Sequence, residues 1–138
     1  MVKRPRIVLA DDNPAILESV RQLLAADFDV VATVSDGQAA LDAIGALRPE
    51  AVVLDISMPR LSGLEVARRL SALTEPPRIV FLSVHEGGEF LAAAREAGAS
   101  GYVFKRNAGS DLGRVLTQTL AGEMAFPELR DEPNPVSD

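Results

Sequence analysis

The sequence predicts an open, doubly wound α/β domain: a five-stranded parallel sheet covered on its two faces by five helices. Short runs rich in Val, Ile and Phe recur five times and largely lack polar/apolar alternation, as strands buried on both faces do. Between the runs lie longer stretches with apolar residues at helical spacing. Pro5, Pro14, Pro49, Pro59, Pro76 and Pro77 all fall at boundaries between the two kinds of segment.

Arg6–Ala10 is the first expected strand, and Pro14 opens the helix after it, where a missing N–H costs little. Ile16, Val20, Leu23 and Leu24 form that helix's apolar stripe. The second strand spans Asp29–Val34, and Ala40, Ile44 and Leu47 mark the second helix. The third unit pairs Ala51–Leu54 with Val66, Leu70 and Leu73. In the fourth, a strand over 78–82 precedes a stripe of Phe90, Ala93, Ala94 and Ala97 closed by Gly98, which leaves Leu91, Ala92 and Arg95 off the stripe. Gly101–Phe104 and then Leu112, Val115, Leu116 and Leu120 complete the set.

The length of 138 residues fits one domain, since domains typically run to roughly 100 to 200. We expect that domain over 1–122 and an acidic, Pro-containing tail or linker start over 123–138, flexible from Phe126 onward. Zero cysteines exclude disulfides and thiolate chemistry, and a single histidine, His85, excludes multi-histidine metal sites. A net charge of -6 repels a phosphate backbone, so direct nucleic-acid binding by this chain is not expected. No apolar run nears the roughly 18 residues of a membrane span, and the N-terminus lacks the hydrophobic length of a signal peptide. A cytoplasmic protein is the expectation.

Ligands of open α/β sheets bind beyond the carboxyl ends of the strands. There the sequence places Asp11 and Asp12 after strand one, Asp55 after strand three, Ser83 after strand four and Lys105 after strand five. Each has an ordinary alternative: Asp12 or Asn13 as a helix cap, Lys105 as a surface lysine. Together they point to chemistry. Three converging carboxylates repel unless a hard divalent cation neutralises them, and magnesium, with its preference for carboxylate and phosphoryl oxygens, suits the set. Asp55, standing alone, is the candidate nucleophile toward phosphorus, Asp11 and Asp12 the candidate metal holders, and Ser83 and Lys105 candidate donors to phosphoryl oxygens.

Leu9-Ala10-Asp11-Asp12, Val53-Leu54-Asp55-Ile56-Ser57-Met58-Pro59 with Gly63, Leu82-Ser83, and Gly98 through Lys105 together resemble the response-regulator receiver domains of two-component signalling. The resemblance implies a flavodoxin-like sheet of order 2-1-3-4-5. It implies Asp55 as phosphoacceptor, and magnesium held by Asp11, Asp12, Asp55 and the Ser57 main-chain carbonyl. It also implies Ser83 as switch hydroxyl, Tyr102 as rotameric switch aromatic and Lys105 as phosphate contact. The implied partners are a sensor histidine kinase and an output domain or partner protein, with a homodimer possible on activation. Arg106 after the lysine, and the phrase Leu82-Ser83-Val84-His85-Glu86, resemble the subclass that precedes LuxR-type helix-turn-helix domains. Two other readings compete. A magnesium-dependent phosphohydrolase resembles this chain in its aspartate nucleophile, but has a second Asp where Ser57 stands. A phosphorylation-independent docking module would leave the acidic pocket unused. A nucleotide-binding module is excluded by the absence of a glycine-rich phosphate loop after strand one.

Overall fold

Strand β1 (Arg6–Ala10) lies inside the sheet, flanked by β2 (Asp29–Val34) and β3 (Ala51–Leu54), with β4 (Arg78–Ser83) and β5 (Gly101–Phe104) beyond. All pairs are parallel and the order is 2-1-3-4-5, as expected. The structure is a computed structural model and describes residues 3–128. Alternation along the strands divides the core into two layers. Ile7, Leu9, Val53, Val80 and Leu82 face α1 (Pro14–Leu24) and α5 (Ala108–Leu120). Val8, Val52, Leu54 and Phe81 face α2 (Gly37–Leu47), α3 (Gly63–Ser71) and α4 (Gly88–Glu96).

Capping fixes where the helices start. Asn13, not Asp12, caps α1, its side chain accepting from the Ala15 and Ile16 amides at 2.9 and 3.3 Å. Asp12 is thereby left exposed and without a capping duty. Asp36 and Ser62 cap α2 and α3 in the same manner.

Several expectations fail for definite reasons. β2 is an edge strand, so it is half-exposed and not buried on both faces. Leu23 falls on the rim of the α1 stripe and is 42% exposed. Leu73 lies past the end of α3, in the turn to β4, and is 50% exposed. On α4 the buried residues are Leu91 and Ala94, with Ala97 buried just past the helix, while Phe90 is only partly covered. The stripe is therefore rotated, and Leu91, expected outside, contributes the ~1.5–3 kcal/mol of a buried Leu.

The C-terminal boundary also moves. After α5 the chain turns at Gly122, whose φ is 95°, and returns along the free edge of β5. There the Ala125 amide donates to Ser100 O at 2.8 Å and the Tyr102 amide to Ala125 O at 3.1 Å, forming a parallel bridge between Gly101 and Ala125. Phe126, expected in a flexible tail, packs on Tyr102 with ring centroids 6.3 Å apart. The remainder of the expected tail, 129–138, lies outside the described residues. Among the described residues no helix is long and apolar enough to cross a membrane.

Candidate functional site

Two backbone bonds set the site. The Asp55 amide donates to Ala10 O at 2.9 Å and the Asp11 amide to Val34 O at 3.1 Å, so the last ladder bonds of adjacent strands deliver both aspartates to one edge. Asp11 and Asp55 are buried, at 4% and 6% exposure, and Asp12 stands exposed beside them. One oxygen from each of the three carboxylates falls within 4.8 Å of the others. Lys105, first residue of a short 3-10 turn after β5, brings its Nζ to 2.8 Å from Asp11 Oδ2 and 3.3 Å from Asp55 Oδ2.

The charges do not balance. Three carboxylates against one ammonium leave two negative charges in excess. Burial first, and the neighbouring Asp11 charge second, raise the Asp55 carboxyl pKa above its ordinary value despite Lys105. Burial acts to lower the Lys105 pKa, but Asp11 and Asp55 outweigh it and the net shift is upward. Asp11 Oδ1 accepts from the Asn13 amide at 2.9 Å, whereas the partner of buried Asp11 Oδ2 among the described residues is the Lys105 ammonium alone, at 2.8 Å. Three carboxylate oxygens within 4.8 Å of one another, two of the groups buried and with negative charge in excess, fit a divalent cation that takes oxygen ligands.

The other expected site residues lie at the end of β4, within β5 and in the loop after β3. Ser83 is fully buried at the end of β4, its Oγ accepting from the His85 amide at 3.0 Å. Ser57 is exposed in the loop after β3. Gly63 supports that loop: its amide donates to Ile56 O at 2.7 Å, and a Cβ there would overlap the Asp55 carbonyl oxygen and sit 2.9 Å from the carbonyl carbon. Tyr102 is buried, its hydroxyl donating to His85 O at 2.7 Å. Burial raises the Tyr102 pKa, with Ser83 beside the hydroxyl acting in the opposite direction.

Three features of the site were not anticipated. His85 stacks on Phe90 with centroids 4.0 Å apart and planes at 11°. Arg106 binds Glu86 through two nitrogens at 2.6 and 2.8 Å, tying the loop after β4 to the turn that carries Lys105. Opposite charges just past two neighbouring strand ends were a usable signal for that pair. Phe126, the third, is the one aromatic in the sequence after α5.

Residues 7–117 match the response regulator receiver domain family. The chain belongs to that family. It is 36% identical over 124 residues to the nitrate/nitrite response regulator protein NarL of Escherichia coli K12, covering 88% of this chain and 57% of NarL. It is 40% identical over 139 residues to the response regulator MprA of Mycolicibacterium vanbaalenii, covering 93% of this chain and 60% of MprA. This receiver thus spans little more than half the length of these curated relatives. Among solved structures it is similar to a LuxR-family two-component response regulator from Aurantimonas sp., with TM-score 0.84 and 34% identity over 89% of each chain. It is also similar to the receiver domain of the putative response regulator NarL from Mycobacterium tuberculosis, with TM-score 0.84 and 28% identity over 88% of this chain and all of that one.

Proposed function

We propose that this receiver is a phosphorylation switch in which Asp55 takes a phosphoryl group from a sensor histidine kinase or a small phosphodonor and passes its state to an output domain or partner protein. The observation that supports this most directly is the buried Asp55 carboxylate set between Asp11 and Lys105, with two negative charges in excess. An Asp55 Oδ attacks phosphorus, the bond from phosphorus to the donor's leaving atom breaks, and the donor leaves with its electron pair. Water later attacks the same phosphorus, returning the carboxylate and releasing inorganic phosphate. Lys105 supplies positive charge to the transferred oxygens, and Ser83, at the end of β4, supplies a hydroxyl donor. Asp11, Asp12, Asp55 and the Ser57 carbonyl would hold magnesium. When bound, that ion withdraws charge from phosphoryl oxygens and relieves the carboxylate repulsion.

The arrangement supports single-turnover self-labelling, not catalysis on a passing substrate. Labelling with acetyl phosphate, read by intact mass, is expected to add one phosphoryl group per chain with magnesium and none without it or in Asp55→Asn. Continuous turnover of a generic phosphate ester would instead establish the phosphohydrolase reading. Undiminished labelling of Asp55→Asn would overturn the assignment of the acceptor.

A further inference from the structure

The segment 123–127 covers the surface of β5 between α4 and α5. Its two backbone bonds make it a rudimentary sixth parallel strand, which Pro127 terminates because the next ladder bond needs an N–H at that position. Phe126 is its only side-chain anchor with an aromatic face, and it has two partners: Tyr102, with ring centroids 6.3 Å apart, and the Arg95 guanidinium of α4, 4.0 Å from the Phe126 ring centroid. From Phe126 a continuous line of contacts leads to Ser83 at the carboxyl end of β4. Tyr102 bonds His85 O, and the His85 amide bonds the hydroxyl of Ser83.

We propose that this segment is an internal strap whose docking on β5 is coupled to occupancy of the Asp55 pocket, and that occupancy tightens it. The proposal rests on the reading of Asp55 as phosphoacceptor. The sign follows from the contacts. A phosphoryl group that engages Ser83 restrains the loop 83–86, and that loop holds the Tyr102 hydroxyl. A restrained Tyr102 keeps the seat on which Phe126 rests, whereas a Tyr102 that left the core would lose its contacts with Phe126 and Phe104. By linkage, a docked strap must strengthen occupancy by the same factor that occupancy strengthens docking. The strap is therefore a mechanical output of the switch, leading directly into the chain that follows Glu128.

Two readouts test this on the full 138-residue chain. The chain has one tyrosine and no tryptophan, so its intrinsic fluorescence reports Tyr102 alone. Magnesium titrations with beryllofluoride as phosphoryl mimic, followed by that signal, are expected to shift to about fivefold weaker affinity in Phe126→Ala. Ala125→Pro, which removes the N–H donated to Ser100, is expected to give the same loss. In wild type, hydrogen exchange of the Tyr102 and Ala125 amides, the donors across the strap, is expected to slow on occupancy. Unchanged or faster exchange, with both variants binding as wild type does, would overturn the coupling while leaving Asp55 as acceptor. Absence of any magnesium-dependent response in wild type would overturn the acceptor reading, and this inference with it.

Discussion

Replacing Asp55 by Asn removes one charge from a crowded pocket while keeping its shape, and the cation-free protein is expected to become more stable. At an effective dielectric near 20, a carboxylate 4.8 Å away repels Asp55 by about 3.5 kcal/mol, so two such neighbours contribute about 7 kcal/mol. Lys105 at 3.3 Å returns about 5 kcal/mol on the same scale. Asp12 is exposed and its share is screened, which brings the charge terms close to balance. Burial then decides the sign, in agreement with the raised Asp55 pKa. We expect Asp55→Asn to gain about 1–2 kcal/mol at pH 7, or about 3–8 °C in Tm for a domain of this size. A raised carboxyl pKa costs stability above the ordinary value of 3.8 and nothing well below it, so the difference is expected to narrow as pH falls from 7 toward 4. Magnesium at ten times its Kd is expected to add about 1.4 kcal/mol to wild type and less to the variant, bringing the two melting curves together. Differential scanning calorimetry in EDTA and then in magnesium measures both effects. A variant that melts below wild type in EDTA at pH 7 would refute the charge accounting.

Lys105→Met leaves Asp11 and Asp55 without their cation, and is expected to lower stability by about 2–4 kcal/mol in EDTA, with magnesium restoring part of the loss; urea unfolding in both buffers checks this. Gly63→Ala forces a methyl against the Asp55 carbonyl, and is expected to cost about 1–3 kcal/mol by urea unfolding, whereas Gly113→Ala, on an open face of α5, is neutral or stabilising. Sedimentation of the unphosphorylated chain at micromolar concentration is expected to show a monomer. Among the described residues the exposed large hydrophobics, Leu23, Leu73, Val84 and Met124, are scattered over separate elements and form no single patch.

The sheet and its site were legible because both depend on short-range pattern. Val52-Val53-Leu54 reads as a buried strand whatever follows, and the residue after it must then stand at the carboxyl edge, where Asp55 is found. Helix rotation was less legible: Phe90 and Leu91 are adjacent and both apolar, and the packing of α4 beside α3, not periodicity, puts Leu91 inside. The strap was not legible at all. Its two ladder bonds arise because Gly122 redirects the chain along an edge that the local sequence does not describe.

An open parallel sheet has two exposed edges, and unpaired edges invite association. In this receiver the two are treated differently. β2 stays short of full burial and carries Asp29 at its start, a charge that discourages edge pairing. β5 is instead covered from within the chain by Ala125, and Pro127 prevents the added strand from growing into a pairing surface of its own. Covering β5 in this way places the strap's one aromatic on Tyr102, two contacts away from Ser83. Protection of the edge thus rests on Ala125 and Pro127, and the contact with Tyr102 on Phe126 between them. A change that frees the edge, such as Ala125→Pro, removes the bond to Ser100, whereas Phe126→Ala leaves both ladder bonds in place and removes the aromatic contact with Tyr102, so the two variants separate cover of the edge from contact with Tyr102.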